Sequence, residues 1–294
     1  MASALAALAS VAPGAPGGAA PPGDTSPGGA GASALELFGL WAAPPWSQQP
    51  NGTVCAPMPL YDFLRLQALF RETAALLAAL GVRWLVSHGS LLGAWLHHTP
   101  VPWDEEGDLV LLPDDFARLR ASLGPPAGAA LRRAATGGGS SMWVYEGPLL
   151  GSLRYDYHEH SDKAGGWLAT AVTFRLAADP PDSPVHLDAF LARTNGTHAW
   201  TDSAMLPLEV LLPARRLRFF DWAVPAPRDA QAALELWYGR GFAARRKCGL
   251  RAADGSLAQV AEVPGASVAR SYPTVRNEWV GGTDGEVLRC TIHR

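Results

Sequence analysis

The stretch that decides the fold is SHGSLLGAWLHHTPVPWDEEGDLVLL, residues 87–112. It follows residues 82–86, an apolar run with the length and composition of a buried strand. The stretch opens with a small-residue pair, Gly89 and Ser90, which predicts a turn, and continues as a short helix to His97. It closes on an acidic run that leads directly into a second apolar segment. This order predicts strand, turn, helix and strand.

The acidic run places four carboxylates in five residues, DEEGD at 104–108. In an extended chain alternate side chains share a face, so Asp104, Glu106 and Asp108 point to one side and Glu105 to the other. Acids on one face repel each other unless water solvates them or a divalent cation neutralises them. The run alone is compatible with a solvated acidic turn and with a metal site. The Pro-Trp pair directly before the acids favours a ligand-binding site.

A further acid, Asp188, lies inside an otherwise apolar predicted strand, VHLDAFL at residues 185–191. A carboxylate in such a strand is costly to bury unless a positive group meets it. That group is either a core arginine or a metal ion that Asp188 shares with acids on a neighbouring strand. Both interpretations stay open on the residues themselves.

These motifs together resemble the signature of the LicD/fukutin family of nucleotidyltransferase-fold phosphotransferases. The likeness spans residues 60 to 247, and its strongest pieces are GSLLGA at 89–94 followed by His97, PWD at 102–104 with acids to Asp108, the His-x-Asp setting of Asp188, and LELWYG at 234–239. The departures from the family pattern are Leu96 for an arginine, Pro100 for an aromatic residue, Glu105 and Glu106 for aspartates, and Gly107 for an apolar residue.

The resemblance implies an α/β (α+β) fold, with a nucleotidyltransferase-like mixed sheet flanked by helices. It also implies Mg²⁺ or Mn²⁺ as cofactor, held by Glu106 and Asp108, with Asp104 and Asp188 as further ligands. Two such ions can bridge donor phosphates and an incoming hydroxyl. Asp188, Asp108 and Glu106 are the expected catalytic residues, and Asp188 acts as a ligand or as general base.

The expected phosphate contacts are Gly89 and Ser90, where backbone N–H groups and the helix dipole favour an anion. His97 is a further candidate, although a histidine near a helix end is more often a surface partner of the helix dipole. By resemblance, the donor is a CDP-linked alcohol such as CDP-choline or CDP-ribitol, and the acceptor is a glycan hydroxyl. Two rival functions remain: a non-catalytic nucleotidyltransferase-like binding module, and a metal-dependent phosphohydrolase.

Composition limits the alternatives. The chain has 294 residues, a formal net charge of -3 and 17% charged residues, which argues against a nucleic-acid partner or a polybasic membrane patch. No apolar run reaches about 18 residues, so no transmembrane segment is expected.

The sequons at Asn51 and Asn195 indicate a secretory lumen such as the Golgi, with the cytoplasm as the alternative. Cys55, Cys248 and Cys290 allow at most one disulfide.

The predicted organisation is a disordered Ala/Gly/Pro-rich tail (1–33), a wrapping segment (34–59), the LicD-like domain (60–247) and a C-terminal extension (248–294). Within the domain, periodicity and end signals predict helices at 60–80, 114–123 and 230–238, with Gly81 ending the first and Asp114 and Asp229 capping the others. Further strands are predicted at 142–146, 152–157 and 168–176.

Two other clusters carry weaker signals. The Gly-rich residues 137–141 lack the lysine and strand-to-helix context of a P-loop, so a flexible connection is the better interpretation. His158, His160 and Asp162 have the composition of a metal cluster, but an exposed strand end is favoured over a ligand set.

Overall fold

The computed structural model describes residues 57–129, 132–135, 141–160, 172–180, 183–201, 204–251, 257–264, 274–280 and 287–293. The helices of this part are α1 (Leu60–Ala79), α2 (His88–His97), α3 (Pro113–Leu123), α4 (Leu208–Leu211) and α5 (Ala230–Tyr238). The strands of the main sheet are β1 (Leu85–Val86), β2 (Glu106–Leu111), β3 (Arg132–Ala135), β4 (Ser141–Glu146), β5 (Leu153–His160), β6 (Val172–Leu176) and β7 (His186–Leu191). Smaller sheets contain β8 (Arg193–Thr194), β9 (His198–Trp200), β10 (Met205–Pro207), β11 (Arg215–Phe219), β12 (Trp222–Ala226), β13 (Arg245–Arg251), β14 (Leu257–Pro264), β15 (Thr274–Val280) and β16 (Val287–His293).

Strands β1 to β7 form one mixed sheet in the order β1-β2-β7-β6-β5-β4-β3. The pair β2 and β7 is parallel, and the other neighbours in the sheet are antiparallel. A parallel pair needs a long crossover, and here the crossover carries α3 and the whole β3 to β6 meander. The predicted α/β (α+β) class with a mixed sheet is confirmed.

Helix α1 covers the apolar face of this sheet. Its buried residues recur at spacings of three and four, and they include Phe63, Leu66 and Phe70. The Phe70 ring lies where a side chain at residue 107 would be: a Cβ built at Gly107 would come 2.6 Å from Phe70 Cε2. Glycine at this position therefore allows α1 to approach β2 closely. The helix ends as predicted, and Gly81 adopts a left-handed φ of +65°.

Two local predictions at the start of residues 87–112 and just before it are wrong. Strand β1 contains only Leu85–Val86, which is shorter than the predicted 82–86. Gly89 and Ser90 do not form a separate turn, because α2 begins at His88 and includes both. Its hydrogen bonding starts at Ser87, whose carbonyl accepts from the Leu91 N–H at 2.8 Å.

The two predicted caps have different outcomes. Asp114 does not cap α3, because the helix begins at Pro113, a residue favoured at the first helical position, and Leu112 takes the cap position. Asp229 does cap α5, since its Oδ1 accepts from the Ala232 N–H at 2.9 Å.

The C-terminal part contains structure for which the sequence carries no clear signal. Strands β13 and β14 form one antiparallel pair, and β15 and β16 form another. The predicted tail and nearly all of the wrapping segment lie outside the described residues, as do residues 137–140 and Asp162. Across the described part of the chain, no helix combines the length and apolarity needed to span a membrane.

Candidate active site

The parallel pairing of β2 with β7 brings the predicted acids side by side. Asp108 is the direct partner of Asp188, and Glu106 is the direct partner of His186. Since partners in a ladder project from the same face, these four side chains lie together on the face opposite α1. Glu106 is 59% exposed and Asp188 is 19% exposed, so the acids extend from solvent into a partly buried site.

Asp104 joins the group from the turn before β2. Its backbone N–H donates to the Val101 carbonyl, and its Oδ1 accepts weakly from the Glu106 N–H at 3.4 Å. Gly89 marks where Asp104 meets Asp108: a Cβ built on Gly89 would lie 2.6 Å from Asp104 Oδ2 and 3.0 Å from Asp108 Oδ2. The two carboxylates therefore converge on the start of α2.

The first turn of α2 is hydrogen-bonded to Asp108. The Ser90 N–H donates to Asp108 Oδ2 at 3.2 Å, and the Asp108 N–H donates to Ser90 Oγ at 2.8 Å. The Ser87 N–H donates to the Asp108 carbonyl at 3.1 Å. The helix N-terminus predicted to receive a phosphate thus directs the Ser90 N–H at a carboxylate of the chain itself.

Burial and mutual repulsion dominate the electrostatics of the site. Burial, with the nearby charge of Glu106, raises the pKa of Asp104 to about 7. Burial also raises the pKa of Asp108 well above its ordinary value, and the charges of Asp104 and Asp188 raise it further, against the opposing hydrogen bond from Ser90. Carboxylates whose pKa is raised by burial and by neighbouring charges are typical of sites that bind a cation or perform proton transfer.

His186 completes the group of polar side chains. Its Nδ1 lies 2.7 Å from the Pro184 carbonyl, so Nδ1 carries the proton and donates it there. Its Nε2 lies 3.7 Å from Glu106 Oε1 and 3.9 Å from Asp188 Oδ2. A backbone carbonyl that fixes the tautomer in this way is a common arrangement for a histidine at a metal or phosphate site.

On the other side of Asp188 lies Thr173 of β6. The two are partners across the β6–β7 ladder, and Thr173 Oγ1 donates to Asp188 Oδ1 at 2.7 Å. His158 of β5 places Nε2 2.9 Å from the same Thr173 oxygen. The sequence left a core arginine open as the partner of Asp188. In the structure, the group that binds Asp188 Oδ1 here is a threonine hydroxyl.

Comparison with known protein families adds to this geometry. The family model described as LicD/FKTN/FKRP, nucleotidyltransferase domain, matches residues 81–136. The match over this segment supports membership in the LicD family. No curated protein matches the chain. The matched segment contains α2 and the acidic run, and Asp188 lies beyond it.

LicD proteins are in general transferases, and at this coarse level the family connects the chain with phosphotransferase-type modification of glycans, using a nucleotide-linked donor. Two of the departures from the family pattern have a structural explanation here. Gly107 accommodates Phe70, and Leu96 is a buried apolar side chain, where an arginine would be costly.

Not every predicted site residue joins the acids. His97 is buried in the last turn of α2, about 12 Å along the helix axis from Gly89. Glu105 is also buried. His158 is only partly exposed and binds Thr173, so the preferred interpretation of an exposed strand end does not fit it; the side chains of Glu159, His160 and Asp162 lie outside the described part.

The donor set suits a hard cation. Asp104 and Asp108 converge on one point, and oxygen ligands of this kind are those preferred by Mg²⁺ and Mn²⁺. No three His, Cys, Asp or Glu side chains of the described residues are grouped closely enough to hold a metal by themselves. Mg²⁺ in phosphate-transfer sites commonly uses only one or two carboxylates, with substrate phosphates and water as further ligands, so two converging acids are sufficient.

Two residues of this site were not assigned a role from the sequence. His186 had a signal, because alternation in a strand puts it on the same face as Asp188. Thr173 had none, because its position beside Asp188 depends on the order of strands in the sheet. His158 was considered only for a cluster with His160 and Asp162, and its contact with Thr173 depends on the same strand order.

Proposed function

We propose that this LicD-family chain is a metal-dependent phosphotransferase that moves a phospho-alcohol group, of the phosphocholine or ribitol phosphate type, from a CDP-linked donor to a glycan hydroxyl. The observation that carries the proposal is the convergence of Asp104 and Asp108 beside the start of α2, with Asp188 the direct ladder partner of Asp108. Phosphoryl transfer makes few covalent demands on a protein and depends on positioning and charge neutralisation, which such a site provides.

Asp104 and Asp108 are the residues that would hold the cation, with Glu106 and Asp188 at its edge. Bound there, Mg²⁺ or Mn²⁺ would neutralise charge on the two donor phosphates. Glu106 lies mostly in solvent, and its extra methylene lets its carboxylate reach inward from the mouth of the site. His186, with Nε2 facing the acids, is placed to contact a phosphate oxygen as an imidazolium or to act as a neutral ligand.

Asp188 takes the role of general base. The acceptor hydroxyl oxygen attacks the phosphorus that carries the alcohol, and the bond from that phosphorus to the oxygen of CMP breaks. The hydroxyl proton passes to Asp188, and CMP leaves with the bonding electron pair. A carboxylate within hydrogen-bond reach of the acceptor is the geometric requirement for this step.

The direct test is release of CMP from CDP-choline and from CDP-ribitol by the purified chain, with Mg²⁺ or Mn²⁺ and a glycan acceptor. Asp108→Asn, which preserves size and removes charge, is expected to abolish release while the protein stays folded. Asp114→Asn is the matched control, because Asp114 is an exposed acid on α3. Turnover of Asp108→Asn at the wild-type rate would refute the proposal.

The same assay separates the two rival functions. A phosphohydrolase releases CMP equally well when the glycan is omitted, because water is its acceptor. A non-catalytic module releases none, and calorimetry then shows no Mg²⁺-dependent binding of the CDP-linked compound.

We further propose that the reaction takes place in the secretory lumen, with the Golgi as the expected compartment. The sequon at Asn195 supports this, since Asn195, Gly196 and Thr197 are exposed in the turn between β8 and β9. The sequon at Asn51 lies outside the described residues. Removal of a glycan by an N-glycosidase, and its loss in Asn195→Gln, are the expected results in secretory cells; an unmodified Asn195 there would remove this support.

A further inference from the structure

We infer that Thr173 is a positioning residue that fixes the carboxylate of Asp188, and that His158 acts through Thr173 by fixing its hydroxyl. The inference rests on the proposed function, because it assigns a task to the surroundings of the proposed base. Neither residue lies within the segment matched by the family model.

The hydrogen bonds have one consistent direction. An ionised carboxylate only accepts, so the Thr173 hydroxyl must donate to Asp188 Oδ1 across their 2.7 Å separation. The hydroxyl proton is then used in the hydrogen bond to Asp188, so Thr173 Oγ1 must accept the hydrogen bond from His158 Nε2, which lies 2.9 Å away. His158 therefore carries a proton on Nε2. The result is a chain of hydrogen bonds from His158 through Thr173 to Asp188.

These hydrogen bonds divide the two oxygens of Asp188 between two tasks. Oδ1 is held by Thr173 on the β6 side, and Oδ2 faces the site, 3.9 Å from His186 Nε2. Without the hydroxyl, the carboxylate would lose the hydrogen bond at Oδ1 that fixes its rotation, and the base would be less well oriented toward an acceptor. Thr173 suits the task because it is buried and its β-branched side chain has restricted χ1 freedom.

The ladder makes the arrangement rigid. Thr173 is the direct partner of Asp188 on one side, as Asp108 is on the other. Thr173 is in turn the partner of Asp156 on β5, the strand that also carries His158. The three hydrogen-bonded residues thus stand on three adjacent strands, where the backbone sets their spacing.

The experiment compares Thr173→Val with Thr173→Ser in the full chain. Valine keeps the shape and loses the hydroxyl, so kcat for CMP release is expected to fall about tenfold or more while KM for the CDP-linked donor changes little. Serine keeps the hydroxyl and is expected to recover most of kcat. Thr73→Val is the matched control, because Thr73 is buried on α1 and its hydroxyl has no hydrogen-bond partner among the described residues.

Three further measurements separate positioning from packing. His158→Phe is expected to lower kcat about threefold or more in the wild-type background and to have no further effect in Thr173→Val, since His158 acts through Thr173. Nitrogen NMR of the His158 ring is expected to show a protonated Nε2 in the wild type, and a change of that signal in Thr173→Val. Calorimetric affinity for Mn²⁺ does not require turnover, and in Thr173→Val it is expected to fall less than kcat, because Asp104 and Asp108 hold the ion.

The outcomes are distinguishable. An active wild type together with an equally active, folded Thr173→Val overturns this inference alone, as does a Thr173→Ser variant no better than valine. Equal losses of Mn²⁺ affinity and kcat in Thr173→Val would also overturn it, since Thr173 would then serve the packing of the whole site. A wild type that neither binds Mn²⁺ nor releases CMP overturns the proposed function and, with it, the role of Thr173.

Discussion

Asp108 and Asp188 stand directly opposite each other on the parallel strands β2 and β7. Burial raises the pKa of Asp108 well above its ordinary value, and the neighbouring charges of Asp104 and Asp188 contribute to the increase. A fold that places acids in this way loses stability to their repulsion when no cation is present. The same close contacts between carboxylates therefore lower the stability of the folded chain and favour the binding of a cation.

Asp188→Asn is accordingly expected to have opposite effects on stability and activity. The variant should raise the Tm of the chain in EDTA by about 2 °C or more, because one charge of the repelling group is gone. It should also abolish CMP release. The amide oxygen introduced by the substitution can still accept from the Thr173 hydroxyl, so the packing of the site is preserved.

The control for this comparison is Asp156→Asn. Asp156 lies on the same sheet face, but it pairs with Arg175 at 3.0 Å, so loss of its charge removes an attraction. Its Tm in EDTA should not rise. A fall in the Tm of Asp188→Asn would contradict the repulsion argument.

The raised pKa of Asp104 predicts how stability depends on pH. Between the ordinary value of 3.8 and about 7, the folded chain holds a proton on Asp104 that the unfolded chain has lost. The free energy of unfolding must then decrease as pH rises through this window. Measured in EDTA by urea titration from about pH 4.5 to 7.5, the decrease should be smaller in Asp104→Asn than in the wild type.

Divalent ions should also change how the free energy of unfolding depends on pH. Mg²⁺ or Mn²⁺ binds the ionised carboxylates, so millimolar cation is expected to stabilise the chain more at about pH 7.5 than at about pH 5. Equal slopes for wild type and Asp104→Asn, with or without the cation, would mean that Asp104 does not titrate in this window.

The acids of the site could be predicted from the sequence because their signal is local. Alternation along a strand assigns Glu106 and Asp108 to one face, and an acid among apolar neighbours marks Asp188. The end of α1 and the start of α5 could be predicted for the same reason, because Gly81 and Asp229 each act on the helix beside them.

The rest depends on contacts between distant parts of the chain. Thr173 reaches Asp188 only because β6 pairs with β7, and strand order across such separations leaves no local pattern. The start of α2 was misplaced for a similar reason: Gly89 and Ser90 have turn composition, but Ser90 is held in the helix by a hydrogen bond to Asp108, which lies 18 residues later. The acid that the sequence assigned to a metal thus also holds the helix that was predicted to bind phosphate.

Gly107 gives a test of packing between α1 and β2. Gly107→Val is expected to lower the free energy of unfolding by about 1–3 kcal/mol, because the new side chain meets the Phe70 ring. Phe70→Leu in the same chain should recover part of this loss, since it removes ring atoms from the contact. Urea denaturation of the two single variants and the double variant measures the coupling.

Additive effects in that cycle would contradict direct contact between residues 70 and 107. A positive coupling would explain why this chain has glycine where the family pattern has an apolar residue: α1 supplies the apolar group from its own side of the sheet.

Gly89→Ala tests whether the start of α2 must lack a side chain for the acids to converge. Alanine favours a helix over glycine by about 1 kcal/mol, so the fold should tolerate the change or gain stability. The new Cβ would nevertheless lie 2.6 Å from Asp104 Oδ2 and 3.0 Å from Asp108 Oδ2, and the carboxylates must turn away from it. We expect Mn²⁺ affinity and CMP release to fall about tenfold or more while Tm is maintained.

Gly93→Ala on the same helix provides the contrast. A Cβ at Gly93 would collide with the backbone of Thr99 and Val101, which cannot rotate aside as a carboxylate can. That variant should lose Tm, whereas Gly89→Ala should lose function with little change in Tm. If Gly89→Ala kept full Mn²⁺ affinity, the two carboxylates would not need their present approach to bind the ion, and Gly89 would serve only the helix. If it lost both affinity and Tm, the approach would be part of the core rather than of the site.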